Sequence, residues 1–351
     1  MMKYLIVQDW NSTHCNHAGM VHMCNLLVER WPDKYTKICK SQPTPVTPRG
    51  NWLTRKINCR IDRYRFRKAW LKDYMSICQD MFHRLQTGDE VFLLEYNWPG
   101  ASQYELAKYI RENYPNVKIR TLSHITPTLF SRKKADRYIY EWSKIVDTEM
   151  TMGSSLTNYL RGCGVPDEKL STGFHYVDND YYKLSLDEIC LKERPTIIAI
   201  GALQRDFGLL ADIANNTPSV DWIICKGRKN VDSYFHGDNI RLVGFVPEDE
   251  LRDLMKQSDL SINVLEDTVG SNVITTSLAM GLAFIVSDVG SIRDHVDDSC
   301  AIFCENTKDS FINAINNLTK DPQRIVRMRK ASLERVKRIT IDNVDNWFSN
   351  F

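Results

Sequence analysis

Residues 260–290 read LSINVLEDTVGSNVITTSLAMGLAFIVSDVG, the clearest strand–helix–strand unit in the chain. LSINVL (260–265) is a short apolar run of strand formers, and the polar turn EDTVGSN follows it. A helix then starts near Val273 and stops at Gly281, and FIVSDVG (284–290) is the next strand. Two strands joined through a helix belong to a parallel sheet. The turn places the start of the helix just beyond the carboxyl end of a strand. There, unpaired N–H groups and the helix dipole suit an anion such as a diphosphate. Ser271 and Asn272 are equally good as plain helix caps, so these residues alone leave both readings open.

The same pattern repeats in both directions. TIIAIGAL (196–203), WIICKG (222–227) and IRLVGF (240–245) read as strands ahead of a helix over 248–257, and a polar helical tail runs over about 308–338. In the first half, KYLIVQ (3–8) is a strand, DWNSTHCNHAG (9–19) a loop and MVHMCNLLVERW (20–31) a helix. EVFLLEY (90–96), VKIRTLSH (117–124) and KIVDTEM (144–150) read as further strands, with helices such as YELAKYIREN (104–113) between them. From 171 to Pro195 the periodicity breaks. The expected architecture is α/β, two Rossmann-like domains whose parallel sheets face each other across a cleft. It comprises an acceptor domain over 1–175, a linker over 176–195, a nucleotide-binding domain over 196–335, and a tail over 336–351 that returns to the first domain.

Composition narrows the class. A chain of 351 residues favours two domains. With 43% hydrophobic and 26% charged residues it is neither disordered nor fibrous. There is no apolar run long enough for a transmembrane helix and no signal-peptide cleavage region, so the cytosol is the expected compartment. The ten cysteines form no CxxC pair, which makes them small buried hydrophobes and leaves no zinc site to expect. The net charge of +2 hides an asymmetry: residues 1–184 hold 27 Lys/Arg against 19 Asp/Glu, so the first half is basic and the second acidic. A basic half is suited to an anionic partner, although a solvated charged face has the same composition.

Several segments resemble one known family. GSNVITTSLAMGLAFIVSDVGSIRDHV (270–296) is similar to the nucleotide-sugar signature of retaining GT-B glycosyltransferases, in particular glycosyltransferase family 4, the group 1 glycosyl transferases. NIRLVGFVPEDELRDLMKQSDLSINVL (239–265), IAIGALQRDFGLL (198–210), NYLRGCGVPDEKLSTGFHYVDNDYY (158–182) and SHITPTLF (123–130) resemble the family's other segments, in the family's order. The resemblance implies retaining transfer of a sugar from a nucleoside-diphosphate donor to a hydroxyl of a glycan or lipid-linked saccharide, with no metal and no other cofactor. It assigns the donor diphosphate to Arg205, with Lys226 as a second cation, and to the amides around Ser271, Asn272 and Val273. The nucleobase falls to the backbone at Val246, and close approach of the phosphate to Gly19. His124 would orient the transferred sugar.

This sequence also departs from the family. Two glutamates eight positions apart are usual across the signature, and here those positions hold Thr268 and Thr276. Thr276 offers a weaker bond to a ribose hydroxyl than a carboxylate does, and the neighbours Glu266 and Asp267 are the candidates to supply the missing acid. The usual glycine before Val177 is Tyr176, too.

On the acceptor side, eight basic residues from Arg55 to Lys72, with Trp52, Phe66 and Trp70 among them, form a basic helix candidate over 53–72. It suits a lipid-linked pyrophosphate at the inner membrane face, and equally a solvated amphipathic helix with its apolar stripe in the core. Nucleic acid would use the same residue types but is not the expected partner. Glu95 and Trp98, after another strand, are acceptor-pocket candidates. The competing reading is a catalytically weak GT-B subunit that binds a nucleotide without turnover. A dinucleotide-dependent oxidoreductase is disfavoured because no GxGxxG follows either leading strand.

Overall fold

The computed structural model describes residues 1–9, 16–41, 54, 68–69, 71–94, 96, 103–132, 136–190 and 192–350. They form two compact units. The first comprises 1–15, 19–152 and 156–173, and the second comprises 16–18, 153–155 and 174–351. The expected linker, 176–195, and the tail from 336 therefore both count with the second unit. The basic helix over 53–72, Glu95 and Trp98 lie outside the described residues, apart from isolated positions of that helix.

The first unit is built on a six-stranded sheet. Its strands are β1 (Lys3–Asp9), β2 (Tyr35–Ser41), β3 (Glu90–Leu93), β4 (Lys118–Ser123), β5 (Thr148–Thr151) and β6 (Leu170–Thr172). The order is β2-β1-β3-β4-β5-β6, and every pairing is parallel. One face packs Tyr4, Ile6, Val91, Leu93 and Ile119 against the helix Gln103–Asn113 through Leu106, Ala107 and Ile110. At the start of the strands a buried ion group ties three of them together. Lys3 pairs with Glu90 in register, and Glu90 accepts from Arg120 Nη2 at 2.7 Å. Removing one partner would leave an uncompensated charge buried among these strands.

The second unit holds β7 (Thr196–Ile200), β8 (Asp221–Cys225), β9 (Ile240–Val243), β10 (Leu260–Asn263), β11 (Ala283–Ser287) and β12 (Ala301–Cys304). Their order is β12-β11-β10-β7-β8-β9, again all parallel. Counted within the unit this is 3-2-1-4-5-6, the doubly wound order in which strand order reverses between β7 and β10. Both faces are covered, which explains strands that read as near-continuous apolar runs. Ile197, Ala199, Trp222, Ile224, Leu260 and Ile262 pack on the helices Phe207–Asn215, Lys308–Thr319 and Pro322–Arg335. Ile198, Ile200, Ile223, Phe284 and Val286 pack on Glu248–Lys256 and Asn272–Ala279. Parallel α/β units were expected in both halves and are found. The sequence reading missed β2, β6 and β12. β2 is an edge strand with lysines at 37 and 40, and the other two have only three and four residues.

All cysteines among the described residues are free, and most are buried. Burial pushes the thiols of Cys78 and Cys225 up to about 12, so these side chains pack as neutral hydrophobes. No helix among the described residues is long and apolar enough to cross a membrane.

Candidate functional site

In the second unit the candidates collect where the strand order reverses. β7 and β10 share only two register pairs, Leu260↔Ile197 and Ser261↔Ile198, and part beyond them. The loop after β7 turns back over this gap. Gly201 adopts φ +92 and Gln204 φ +51, left-handed values that favour glycine and cost glutamine about 1 kcal/mol or more. The turn brings Arg205 opposite Leu265 in an isolated antiparallel bridge. Two backbone bonds close it, Glu266 N–H to Gln204 O at 3.0 Å and Asp206 N–H to Val264 O at 3.2 Å. Asp206 then caps the helix Phe207–Asn215 by accepting from Leu209 N–H at 2.9 Å.

Arg205 lies across the gap. Its Nη1 donates to Asn263 Oδ1 at 3.0 Å, and a Cβ on Gly201 would stand 3.1 Å from its Nε. Burial lowers its pKa to about 10, which still leaves a full positive charge at neutral pH. Across the turn, the helix Asn272–Ala279 begins with Ser271 at its N-cap, without a side-chain cap bond and without an acidic residue in the first turn. Its first internal bond is Thr275 N–H to Ser271 O. The leading amides of Asn272, Val273 and Ile274 thus start the helix with no capping side chain, as an anion site requires. Val273 also lies near Arg205, since its Cγ2 and the guanidinium border the same Cβ position at Gly201.

The two acids differ. Glu266 is exposed, whereas Asp267 is buried and its Oδ1 accepts the N–H of Thr268 at 2.8 Å. Thr276 is buried and its hydroxyl donates to Asn272 O at 2.7 Å within its own helix, while the Thr268 hydroxyl donates to Val269 O at 3.3 Å. The loop carrying these residues is held from behind. Ser291 N–H donates to Thr268 O at 2.8 Å, and His295 Nε2 stands 3.1 Å from Val269 O, so that nitrogen carries the proton.

Lys226 follows β8 and is engaged by Asp232 at 2.6 Å. Val246 follows β9 and packs on the core, beside an exposed Phe245 over which the Arg228 guanidinium sits at 5.1 Å. In the first unit, His124 directly follows β4 and is half-buried. Gly19 is the N-cap of the helix Met20–Arg30, which likewise has no side-chain cap and no acidic first turn. Arg205, Glu266, Ser271, Asn272 and Val273 are thus brought together, while Lys226 and Val246 stand at the ends of the neighbouring strands β8 and β9. Sequence reading missed Gly201, Asn263, Gly290 and Ser291. Two polar residues, Ser261 and Asn263, inside the otherwise apolar run LSINVL were the available signal.

Residues 194–321 match the family model described as Glycosyl transferases group 1. Within this range the second unit is similar to the group 1 glycosyl transferases. Over those residues the resemblance drawn from the sequence is borne out, and the site just described lies inside the matched range. Solved structures extend the likeness in fold to the whole chain. Sucrose-phosphate synthase from Thermosynechococcus elongatus is 11% identical with a TM-score of 0.71, over 99% of this chain and 98% of that one. A glycosyltransferase from Rickettsia africae is 13% identical with a TM-score of 0.68, over 100% and 99%. The Anabaena protein HepE, solved in complex with UDP, is 12% identical with a TM-score of 0.68, over 99% and 98%. The two units therefore have the GT-B fold. No match to a curated protein was found.

Proposed function

We propose that this protein transfers a sugar from a nucleoside-diphosphate sugar to a hydroxyl of a glycan or lipid-linked saccharide, with retention of configuration. The observation that carries the reading is the pairing of Arg205 with the uncapped start of the helix Asn272–Ala279 at the strand-order reversal, within the group 1 match. Cation and amides would share the charge of the departing diphosphate. The acceptor hydroxyl would attack the anomeric carbon from the face the diphosphate leaves, and a phosphate oxygen of the donor would take its proton. Nothing in this scheme calls for a metal. Glu266, the exposed acid of the loop, is better suited than the buried Asp267 to bond the sugar's hydroxyls, and His124 is assigned to orienting that sugar. Gly19, Lys226 and Val246 complete the donor assignments. The basic 53–72 segment is assigned to the acceptor and to a peripheral membrane contact in the cytoplasm.

A thermal-shift panel with UDP, GDP, ADP, CMP and dTDP, without added metal, tests the donor side. UDP is the nucleotide to try first, since a protein of the same fold binds it. One nucleotide at about 100 times its Kd is expected to raise the melting temperature by about 5 °C or more. No shift with any of them would count against a free-standing donor site.

A second reading is favoured by Thr268 and Thr276, whose hydroxyls are both turned to backbone carbonyls of their own segment. A GT-B subunit that binds nucleotide weakly and does not turn it over would show this. Thr276→Glu distinguishes the two. A weak subunit gains nucleotide affinity or turnover from the restored carboxylate, whereas an enzyme adapted to threonine gains neither.

A further inference from the structure

Side chains alternate along β10. Leu260, Ile262 and Val264 enter the apolar cluster on one face, so Ser261 and Asn263 point to the other, where the helix Asn272–Ala279 packs with Ile274 and Leu278. Ser261, Asn263 and Ser277 are all 0% exposed. A strand in this place would pack as well with valine or isoleucine, and buried amides and hydroxyls persist only where they are bonded. These three are bonded in a chain. Arg205 Nη1 donates to Asn263 Oδ1 at 3.0 Å, Asn263 Nδ2 donates to Ser261 Oγ at 3.0 Å, and Ser277 Oγ donates to Ser261 Oγ at 3.2 Å. Ser277 belongs to the very helix whose first turn forms the anion site. Both bonds of the Asn263 amide are fixed, so its oxygen, not its nitrogen, faces the guanidinium.

We propose that Asn263 is a positioning residue for phosphate recognition: through Ser261 and Ser277 it holds the Arg205 guanidinium at a set distance from the start of the helix Asn272–Ala279, so that cation and amides meet one diphosphate. The inference rests on the nucleotide-sugar reading. An arginine ordered before the ligand arrives loses no rotamer freedom on binding, which is how a remote amide raises affinity for a phosphate it never touches.

The test is calorimetric titration of UDP and uridine into the full chain, with the matching GDP–guanosine or ADP–adenosine pair if the thermal panel selects that base. Asn263→Asp is nearly isosteric and keeps an acceptor for Nη1, but its charge neutralises the guanidinium. Diphosphate affinity is expected to fall by about 10-fold or more while nucleoside affinity stays unchanged. Asn263→Leu removes the acceptor and is expected to act in the same direction, and in an Arg205→Ala background it is expected to add no further loss. If Asn263→Leu fails to fold, Ser261→Ala, which removes the anchor of the Asn263 amide without adding a charge, decides in its place, with a fall in the same direction expected. A diphosphate-to-nucleoside affinity ratio unchanged by these substitutions overturns the role of Asn263 while leaving the nucleotide-sugar reading intact. A wild-type protein that binds no nucleoside diphosphate overturns both.

Discussion

Arg205→Ala is expected to lower the affinity for a nucleoside diphosphate by about 100-fold and to leave that for the bare nucleoside unchanged. A hydrogen bond between a charged group and phosphate contributes about 1.5–3 kcal/mol, and a desolvated guanidinium in a fixed orientation belongs at the upper end of that range. The side chain is fixed on two sides, by Asn263 Oδ1 at 3.0 Å and by the approach of Gly201. The nucleoside is the control because base recognition is assigned to the backbone at Val246, after β9, which Arg205 does not form. Paired titrations of the two ligands check the prediction. Equal loss for both would mean that Arg205 serves only to close the loop after β7.

The largest loss of stability is expected from Gly290→Ala. Gly290 has φ +57, a conformation that costs an alanine about 1–2 kcal/mol. A Cβ there would stand 2.2 Å from Thr268 O, 2.6 Å from Asp267 Oδ1 and 2.7 Å from Thr268 N. None of these can retreat easily. Thr268 O is held by Ser291 N–H, and Asp267 Oδ1 by Thr268 N–H. With overpacking added to backbone strain, the total is expected to be about 3 kcal/mol or more, read from urea unfolding with the m-value unchanged. The substitution also displaces the loop that carries Glu266, so diphosphate affinity is expected to fall with it. A loss below about 1 kcal/mol would show that the 266–270 loop has somewhere to move.

Why some of this could be read in the sequence and some could not comes down to range. Runs such as TIIAI and AFIVS are strands buried on both faces by helices, and local composition states that plainly. The start of the helix at Asn272 is equally local, being one turn between one strand and one helix. Strand order is not local. Nothing within the residues of β7 or β10 says that they are neighbours, and it is their separation after Ser261 that creates the place for Arg205. Nor did sequence distinguish Glu266 from Asp267, because Asp267 is buried in a turn that closes against Gly290, from the loop after β11. β2 went unseen because an edge strand is free to carry lysines, and its polarity reads as loop.

The position of β7 and β10 at the middle of their sheet, with two further strands beyond each, has a consequence for hydrogen–deuterium exchange. Their amides can swap protons with solvent only when the sheet opens as a whole, so they report the global stability of the second unit. The edge strands β9 and β12 exchange through smaller openings. The amides of Asn272 and Val273, which begin a helix and make no bond within it, form a third and fast class. A nucleotide bound as proposed would slow this last class far more than its effect on global stability accounts for, so one labelling experiment on the unmodified chain would separate a ligand seated on the helix start from one that merely stiffens the fold.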